Sequence, residues 1–395
     1  MLFRELMAAP GTAPVQVTFD TASTSGPAAT HALLAAVLRA NSEISDVIFS
    51  PGRPPQVEVH GQLLQVEGQG LRPFTADDTR RIASDLIGSN KQAITILREQ
   101  GSCDVSFGLP GLARFRVNVF IQRGSCAVVM RVIPTTIPDF ASLGLPQELG
   151  EIAGLRDGIV LVTGPRGSGK SSTLASLLDR INEQQVCHII TIEDPIEFLH
   201  NHKRATVHQR ELHSDTPSFS MGLRAALRQA PRVILASELR DRDTMEMVIE
   251  AAETGHVILS TLNSVNTAKA IERMVSAFAV AEQASIRNRL SKTLRYVIAQ
   301  RLIPRRDAGR IAVREIFKVN QQSAQYIESD NGSGRNLSQL LKSGCGMQDF
   351  DCEIEKLVRA GTVDLETGLA YASDPAELQK SLGANSEKSL AAERA

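Results

Sequence analysis

The sequence predicts an α/β protein built in two parts, and three observations lead there. From Gly158 onward, short apolar runs rich in β-branched residues alternate with amphipathic runs of helix length. That is the pattern of a parallel sheet covered on both faces. A glycine-rich turn, GPRGSGKS at 164–171, sits between the first of these strands and its helix. Residues 29–134 instead hold a series of short strand-like runs around one long helical stretch, which predicts an α+β domain with an antiparallel sheet.

The bulk properties fit that division. A chain of 395 residues has room for two domains with sizeable cores. Its 42% hydrophobic and 22% charged residues are ordinary for a soluble globular protein. A net charge of −1 gives no global attraction to nucleic acid or anionic lipid, so any basic surface has to be a local patch. The absence of Trp and the presence of only three Tyr argue against aromatic platforms for single-stranded nucleic acid. The cysteines (Cys103, Cys126, Cys187, Cys345 and Cys352) are odd in number and form no C-x-x-C pair. Reduced thiols are expected, rather than a disulfide framework or a zinc site. No apolar run approaches the ~18–20 residues of a membrane span. The start, MLFRELMAAPGTAPVQ, has one Arg and a Pro-broken apolar stretch, unlike a secretory signal. A soluble, intracellular protein is expected.

Taken in order, residues 1–28 are rich in Ala, Thr, Ser, Pro and Gly without a period and read as a flexible arm. THALLAAVLRA (30–40) has helical spacing with Thr30 as N-cap. The strand-like runs of the first domain, 29–134, are DVIFS, QVEVHGQLL, CDVSFGL, ARFRVNVFIQ and CAVVMRVI. Between them FTADDTRRIASDLIGSNKQAITILREQ predicts two helices broken near Gly88. In ARFRVNVF, alternation puts Phe115, Val117 and Val119 on one face and Arg114, Arg116 and Asn118 on the other. The Pro- and Gly-rich segment 135–157 reads as a linker that becomes a short helix. The second domain, 158–375, runs through strand GIVLVTG, helix SSTLASLLDRINEQ, strand CHIITIED and a helix around SMGLRAALRQA. Strand RVILASE, helix RDTMEMVIEAAETG and strand HVILST follow. From about 266 onward the chain reads as mostly helical: TAKAIERMVSAF, AEQASIRNRLSKTLRYVIAQRLI, LSQLLKS, MQDFDCEIEKLVRAG and LETGLAYA. The tail, 376–395, is small and charged and reads as disordered.

GPRGSGKS matches G-x-x-x-x-G-K-[ST], a loop whose backbone N–H groups curl round a phosphate. Gly164, Gly167 and Gly169 permit that curl, and Lys170 reaches the β- and γ-phosphates. The Ser171 hydroxyl is a magnesium ligand, and the next helix turns its positive end to the anion. Ser168 and Ser172 complete the nucleotide-binding set. A chance glycine-rich turn is the plain alternative, but the strand before and the helix after favour a nucleoside triphosphate site.

Acids follow at the strand ends. TIEDPIEF (191–198) brings Glu193, Asp194 and Glu197 to the carboxyl edge of the sheet, and Glu238 ends the next core strand. Transfer of a phosphoryl group to water needs a held magnesium ion and a carboxylate that orients the water, and two acids divide those tasks. Taken singly, each acid is as readily a helix cap. His256 starts the strand HVILST, where a packed or capping histidine is the commoner role.

The chain resembles the secretion ATPases of type II and type IV systems, most closely the type IV pilus retraction branch. The resemblance spans about residues 30–375. It is carried by SDVIFSPGRPPQVEVHGQL, RFRVNVF, GIVLVTGPRGSGKSSTLASLLD, HIITIEDPIEF, the QREL turn at 209–212, LRAALRQAP, ETGHVILSTL and GMQDFD. It implies a PAS-like N-terminal domain, a RecA-like ATPase core with a helical C-terminal part, and a homo-hexameric ring binding ATP and magnesium. By the same resemblance Glu197 is the water-activating carboxylate and Glu238 the Walker B acid beside magnesium. His256 is the first histidine of the family's histidine box, and Arg114 and Arg131 reach the phosphates on closure. The implied partners are an inner-membrane platform protein and, in some systems, a paralogous ATPase, with no nucleic acid. The implied location is cytoplasmic and peripheral to the inner membrane.

The sequence also departs from the family pattern. Ala230 and Arg232 stand where acids are usual, Ser237 replaces a Gly, and Asn263 replaces the second box histidine. SAQYIESD (323–330) stands where a retraction-associated motif carries two arginines. If Arg232 points inward it competes with magnesium; if outward it does nothing. Two readings follow: a hexameric ATP-hydrolysing motor of a type IV pilus or related machine, or a nucleotide-binding accessory subunit of weak hydrolysis that supports a paralogous motor. A third, a nucleic-acid translocase, lacks the basic, aromatic-rich segment it would need.

Overall fold

The computed structural model describes residues 14–18, 27–133, 136–307, 309–329, 337–344 and 346–392. Cys345 and Asp330 lie outside these. The chain divides into two compact units, one of residues 1–136 with 197–199 and one of residues 137–196 with 200–395.

The first unit is α+β. Its elements are β1 (Val15–Val17), α1 (Pro27–Ala40), β2 (Ile44–Phe49), β3 (Gln56–Val59), β4 (Gln62–Gly68), α2 (Ala76–Ile87), α3 (Lys91–Gln100), β5 (Ser102–Leu109), β6 (Ala113–Gln122) and β7 (Ser125–Ile133). The strands form one sheet in the order β1-β4-β3-β2-β7-β6-β5. All neighbours are antiparallel except β1 beside β4. Alternation in β6 holds: Phe115, Val117 and Val119 are fully buried, in one cluster with Leu34 and Val37 of α1 and Ile82 and Leu86 of α2. The expected break at Gly88 is present. Thr75 and Asp78 form a capping box at the start of α2, Gly88 ends it, and Asn90 caps α3.

The flexible-arm expectation for 1–28 is corrected at Val15–Val17, which pairs with Val66–Gly68 as an edge strand. The reason is local. Val15 and Val17 bury their side chains in the domain core, and Gly68 lets the two backbones close, since a Cβ there would meet the Val17 carbonyl at 2.5 Å. The other arm residues, 1–13 and 19–26, lie outside the described residues.

The second unit is built on a seven-stranded sheet. Its elements are a 3-10 helix (Gln147–Gly154), β8 (Gly158–Thr163), α4 (Lys170–Gln184), β9 (His188–Glu193), β10 (Thr206–Glu211), α5 (Phe219–Ala226), β11 (Val233–Ala236), α6 (Arg242–Glu253), β12 (Val257–Leu262), α7 (Thr267–Ser276), α8 (Val280–Thr293), β13 (Leu294–Pro304), β14 (Arg310–Lys318), α9 (Gln321–Glu328), α10 (Leu337–Leu341), α11 (Phe350–Arg359), α12 (Leu365–Tyr371) and α13 (Pro375–Ala392). The strand order is β10-β9-β11-β12-β8-β13-β14, parallel throughout except for β14. Strands β8, β11 and β12 are buried at every position, as a sheet covered on both faces requires.

Three expectations are corrected here. The run TLRYVIAQRLI, read as helix, is mostly strand β13, with β14 returning antiparallel to it. An apolar run buried on both faces suits either period, and the β-branched and aromatic residues at Tyr296, Val297 and Ile298 favour the strand beside β8. The QREL stretch, read as a turn, is mostly strand β10 on the far edge of the sheet. The tail 376–395, read as disordered, is helical from Pro375 to Ala392. Among the described residues no helix is long and apolar enough to cross a membrane.

Candidate nucleotide site

The parallel strands of the second unit sort the candidate residues into two rows. Register pairs Gly158 with Val257, Val257 with Val233 and Val233 with Ile189. Asp157, His256, Arg232 and His188 therefore share the amino edge, because each immediately precedes one of these paired residues. The glycine-rich turn, Glu193, Glu238 and Asn263 share the carboxyl edge. The six residues of β12 separate the two rows by about 20 Å at ~3.3 Å per residue.

At the carboxyl edge, β8 ends in Thr163 and the chain turns through residues 164–169 into α4. Gly164 and Gly169 have φ of 153° and 85°, a region that side chains disfavour. Space forbids a side chain there too: a Cβ on Gly164 would meet the Gln300 carbonyl oxygen at 2.3 Å and Ser168 Oγ at 2.5 Å. Gly167 also has positive φ, at 74°. Lys170 Nζ donates to the carbonyls of Gly164 and Pro165, both at 2.9 Å, so the ammonium lies over the loop. Ser171 and Ser172 open α4, half-buried. Ser168 Oγ is buried without a hydrogen-bond partner, a polar atom that a bound ligand can satisfy.

A row of hydrogen bonds crosses the carboxyl edge from this loop to the acids. Thr163 Oγ1 donates to the carbonyls of Leu262 and Ser264, at 2.8 and 3.0 Å. Between those two residues, Asn263 Nδ2 donates to Oε1 of Glu238. Arg240 donates through Nε to Glu238 Oε2 at 2.8 Å and through Nη1 to Asp194 Oδ2 at 3.1 Å. The Glu238 carboxylate raises the Arg240 pKa further above its ordinary value.

The remaining acids are placed by local contacts. Glu193 is buried and accepts from Thr191 Oγ1 at 2.6 Å and Gln209 Nε2 at 3.0 Å. Glu197 is exposed on the loop after β9. Buried Glu211 of β10 fixes that loop by accepting from the Ile196 N–H at 3.0 Å. The QREL stretch thus fixes Ile196, the residue before Glu197.

Two candidates lie at the other edge. His256 is not among the carboxyl-edge groups: its Nδ1 lies 3.0 Å from the Ala251 carbonyl, at the end of α6. Parallel direction dictates this, since a residue that opens a strand is a full strand length from one that closes it. His256 therefore lies away from Lys170 and Glu238 within this sheet. Arg232 is settled in the same way. It stands before β11 and its Nη2 reaches the Leu155 carbonyl at 3.4 Å, so it does not point at Glu238.

Arg114 and Arg131 belong to the first unit. Register pairs Arg131 with Arg116 on β6 and with Asp46 on β2, and Arg131 Nε donates to Asp46 Oδ1 at 3.0 Å. Arg114, Arg116, Asn118 and Arg131 share the sheet face opposite Phe115 and Val117, with Arg116 and Arg131 exposed and Arg114 half-buried.

The sequence reading missed Arg240 and Gln300. Arg240 stands two residues past Glu238, in ELRD, and its cation next to two acids was a usable signal. Gln300 Nε2 donates to the Ser168 carbonyl, but it was hidden in a stretch read as helix.

A family model described as "Type II/IV secretion system protein" matches residues 97–367. The chain is 38% identical over 331 residues to the "Type IV pilus retractation ATPase PilT" of Pseudomonas aeruginosa, covering 84% of this chain and 95% of that one. It is 36% identical to the "Type IV pilus ATPase PilU" of the same organism, over 87% and 89% of the two chains. Among solved structures, one of the pilus retraction motor PilT with bound ADP superposes with a TM-score of 0.78 at 38% identity, covering 85% of this chain and 95% of that one. The Legionella pneumophila ATPase DotB gives 0.77 at 28% identity, over 90% and 98%. With its phosphate loop and acids on the carboxyl edge of a RecA-like parallel sheet, the chain belongs to the type II/IV secretion system protein family and is an ATPase similar to PilT.

Proposed function

We propose that the protein is an ATP-hydrolysing ring motor, a homo-hexamer that drives a type IV pilus or a related secretion machine. The observation that carries the reading is the convergence of Lys170, Ser171 and Glu238 on one edge of the parallel sheet, joined by the hydrogen bonds of Thr163 and Asn263. Lys170 holds the terminal phosphates, and its present acceptors are backbone carbonyls that a phosphate can replace. The Ser171 hydroxyl and a Glu238 oxygen are hard oxygen donors of the kind magnesium takes, so these residues suit that ion. Bound there, magnesium would neutralise charge on the phosphates. Glu197, on a loop fixed by Glu211, is the base that orients water. Arg114 and Arg131 supply positive charge to the γ-phosphoryl group from a first unit. The movement of those units would act on an inner-membrane platform protein from the cytoplasmic side.

A second reading, an accessory subunit of weak hydrolysis that assists a paralogous motor, is favoured by one observation. Asn263, in place of the family's histidine, spends its side chain on Glu238 and cannot carry charge.

A mixing experiment tests the ring motor. Arg114→Ala/Arg131→Ala subunits and Glu238→Gln subunits are each expected to be nearly inactive. If arginines and acids meet across a subunit boundary, mixed rings regain turnover. Mixed rings no more active than their parents would contradict shared sites.

A further inference from the structure

Gln300 lies in β13, one residue past Ala299, which pairs with Thr163 at the start of the phosphate loop. It is 2% exposed. Its side-chain amide makes three hydrogen bonds. Nε2 donates to the Ser168 carbonyl at 2.5 Å, and Oε1 accepts from Thr173 Oγ1 at 2.8 Å and from Arg314 Nε at 3.2 Å. One amide thus grips both the loop and the first turn of the helix behind it. The fit is close on both sides, since a Cβ on Gly169 would meet Gln300 Nε2 at 2.8 Å.

The orientation of this amide is set by its neighbour. An arginine can only donate. The oxygen of Gln300 must therefore face Arg314, which leaves the NH2 group to face the Ser168 carbonyl. Were the amide reversed, two oxygens would oppose each other at the loop and two donors at the arginine.

Arg314 is itself 1% exposed. Its Nη1 and Nη2 donate to the carbonyls of Gly144 and Leu143, at 3.0 and 2.6 Å. Its backbone N–H donates to the Glu353 carboxylate of α11, which also supplies the countercharge. Leu143 and Gly144 lie in a turn closed by the Leu145 N–H on the Phe140 carbonyl, within the stretch that leads into β8. Burying a guanidinium costs more than burying an apolar side chain of its size, so packing alone does not account for it. A fixed fork joining two carbonyls to one amide oxygen is what positioning requires.

We propose that Gln300 is a positioning residue for the phosphate loop and that Arg314 couples it to the Leu143–Gly144 turn, so that nucleotide affinity depends on a turn outside the phosphate loop. The inference rests on the phosphate-loop reading, and Lys170→Ala separates the two: if that variant still binds nucleotide, the loop reading fails, not this one alone.

The test is titration of the full-length protein with a fluorescent ADP analogue, with thermal unfolding as a check on folding. Gln300→Glu keeps the shape and the acceptor facing Arg314 but turns an oxygen onto the Ser168 carbonyl. It is expected to weaken binding about tenfold or more. Arg314→Met touches no loop residue and is expected to weaken binding about fivefold. The double variant should lose well below the product of the two, as coupled residues do. Hydrogen exchange of residues 139–149 gives a second readout that needs no arginine variant. ADP should protect this stretch in the wild type and fail to do so in Gln300→Glu. Binding by Gln300→Glu within about twofold of wild type, or no ADP effect on 139–149 in the wild type, would overturn the proposal.

Discussion

Asn263 donates its side-chain amide to Oε1 of Glu238, while Arg240 holds Oε2. Both oxygens of the acid are thus oriented by neighbours, one neutral and one charged. The substitution that separates this chain from the family's histidine pattern acts on Glu238, the acid proposed to face magnesium.

Removing the neutral partner should loosen the acid without touching the phosphate loop. Asn263→Ala is expected to raise the magnesium concentration for half-maximal hydrolysis about three- to tenfold, the worth of one net hydrogen bond. ADP binding in the presence of a chelator should stay unchanged. Magnesium titrations of turnover, beside chelated binding assays, check both halves.

Residues of the amino edge should be silent in turnover. Arg232→Asp is expected to leave steady-state hydrolysis within about twofold of wild type, because a ~20 Å strand length separates it from Glu238. His256→Ala should do the same while lowering stability by about 1 kcal/mol through the lost bond to the Ala251 carbonyl. A large change in turnover from either would contradict the edge assignment.

Stability should fall in mild acid through His200. Burial pushes its pKa down to about 4, with Asp179 pulling it upward and Lys203 adding to the fall. The folded state thus disfavours the protonated ring. The contribution is complete above the unfolded value of about 6.5 and is lost as pH falls from there through the folded value of about 4. The loss amounts to about 3 kcal/mol. Denaturant unfolding at pH 7.5 and pH 4.5 should show a smaller difference in His200→Leu than in wild type.

Much of the site was legible in the sequence. The spacing of Gly164, Gly169, Lys170 and Ser171 fixes a loop chemistry, and apolar β11 followed closely by Glu238 fixes an edge. The edge of His256 and Arg232 was legible too, once β8 was placed, because parallel strands share one direction. The resemblance gave His256 a role, and strand polarity gave its place at the start of β12. Gln300 and Arg314 were not legible. They lie in runs buried on both faces, where helix and strand periods coincide, and the groups they hold, Ser168 and Thr173 for Gln300 and Leu143 and Gly144 for Arg314, are more than a hundred residues distant in the chain. Val15–Val17 escaped for a different reason: three residues carry too little pattern to stand out in a Pro- and Gly-rich arm.

The central claim is that the carboxyl edge hydrolyses ATP. Its most direct test is steady-state hydrolysis by the purified protein with magnesium, beside Lys170→Ala and Glu238→Gln. The account predicts turnover by the wild type and a loss of about a hundredfold or more in each variant, with ADP binding kept by Glu238→Gln and lost by Lys170→Ala. Wild-type turnover no higher than that of Glu238→Gln, with nucleotide binding intact, would contradict it and leave the accessory subunit as the reading.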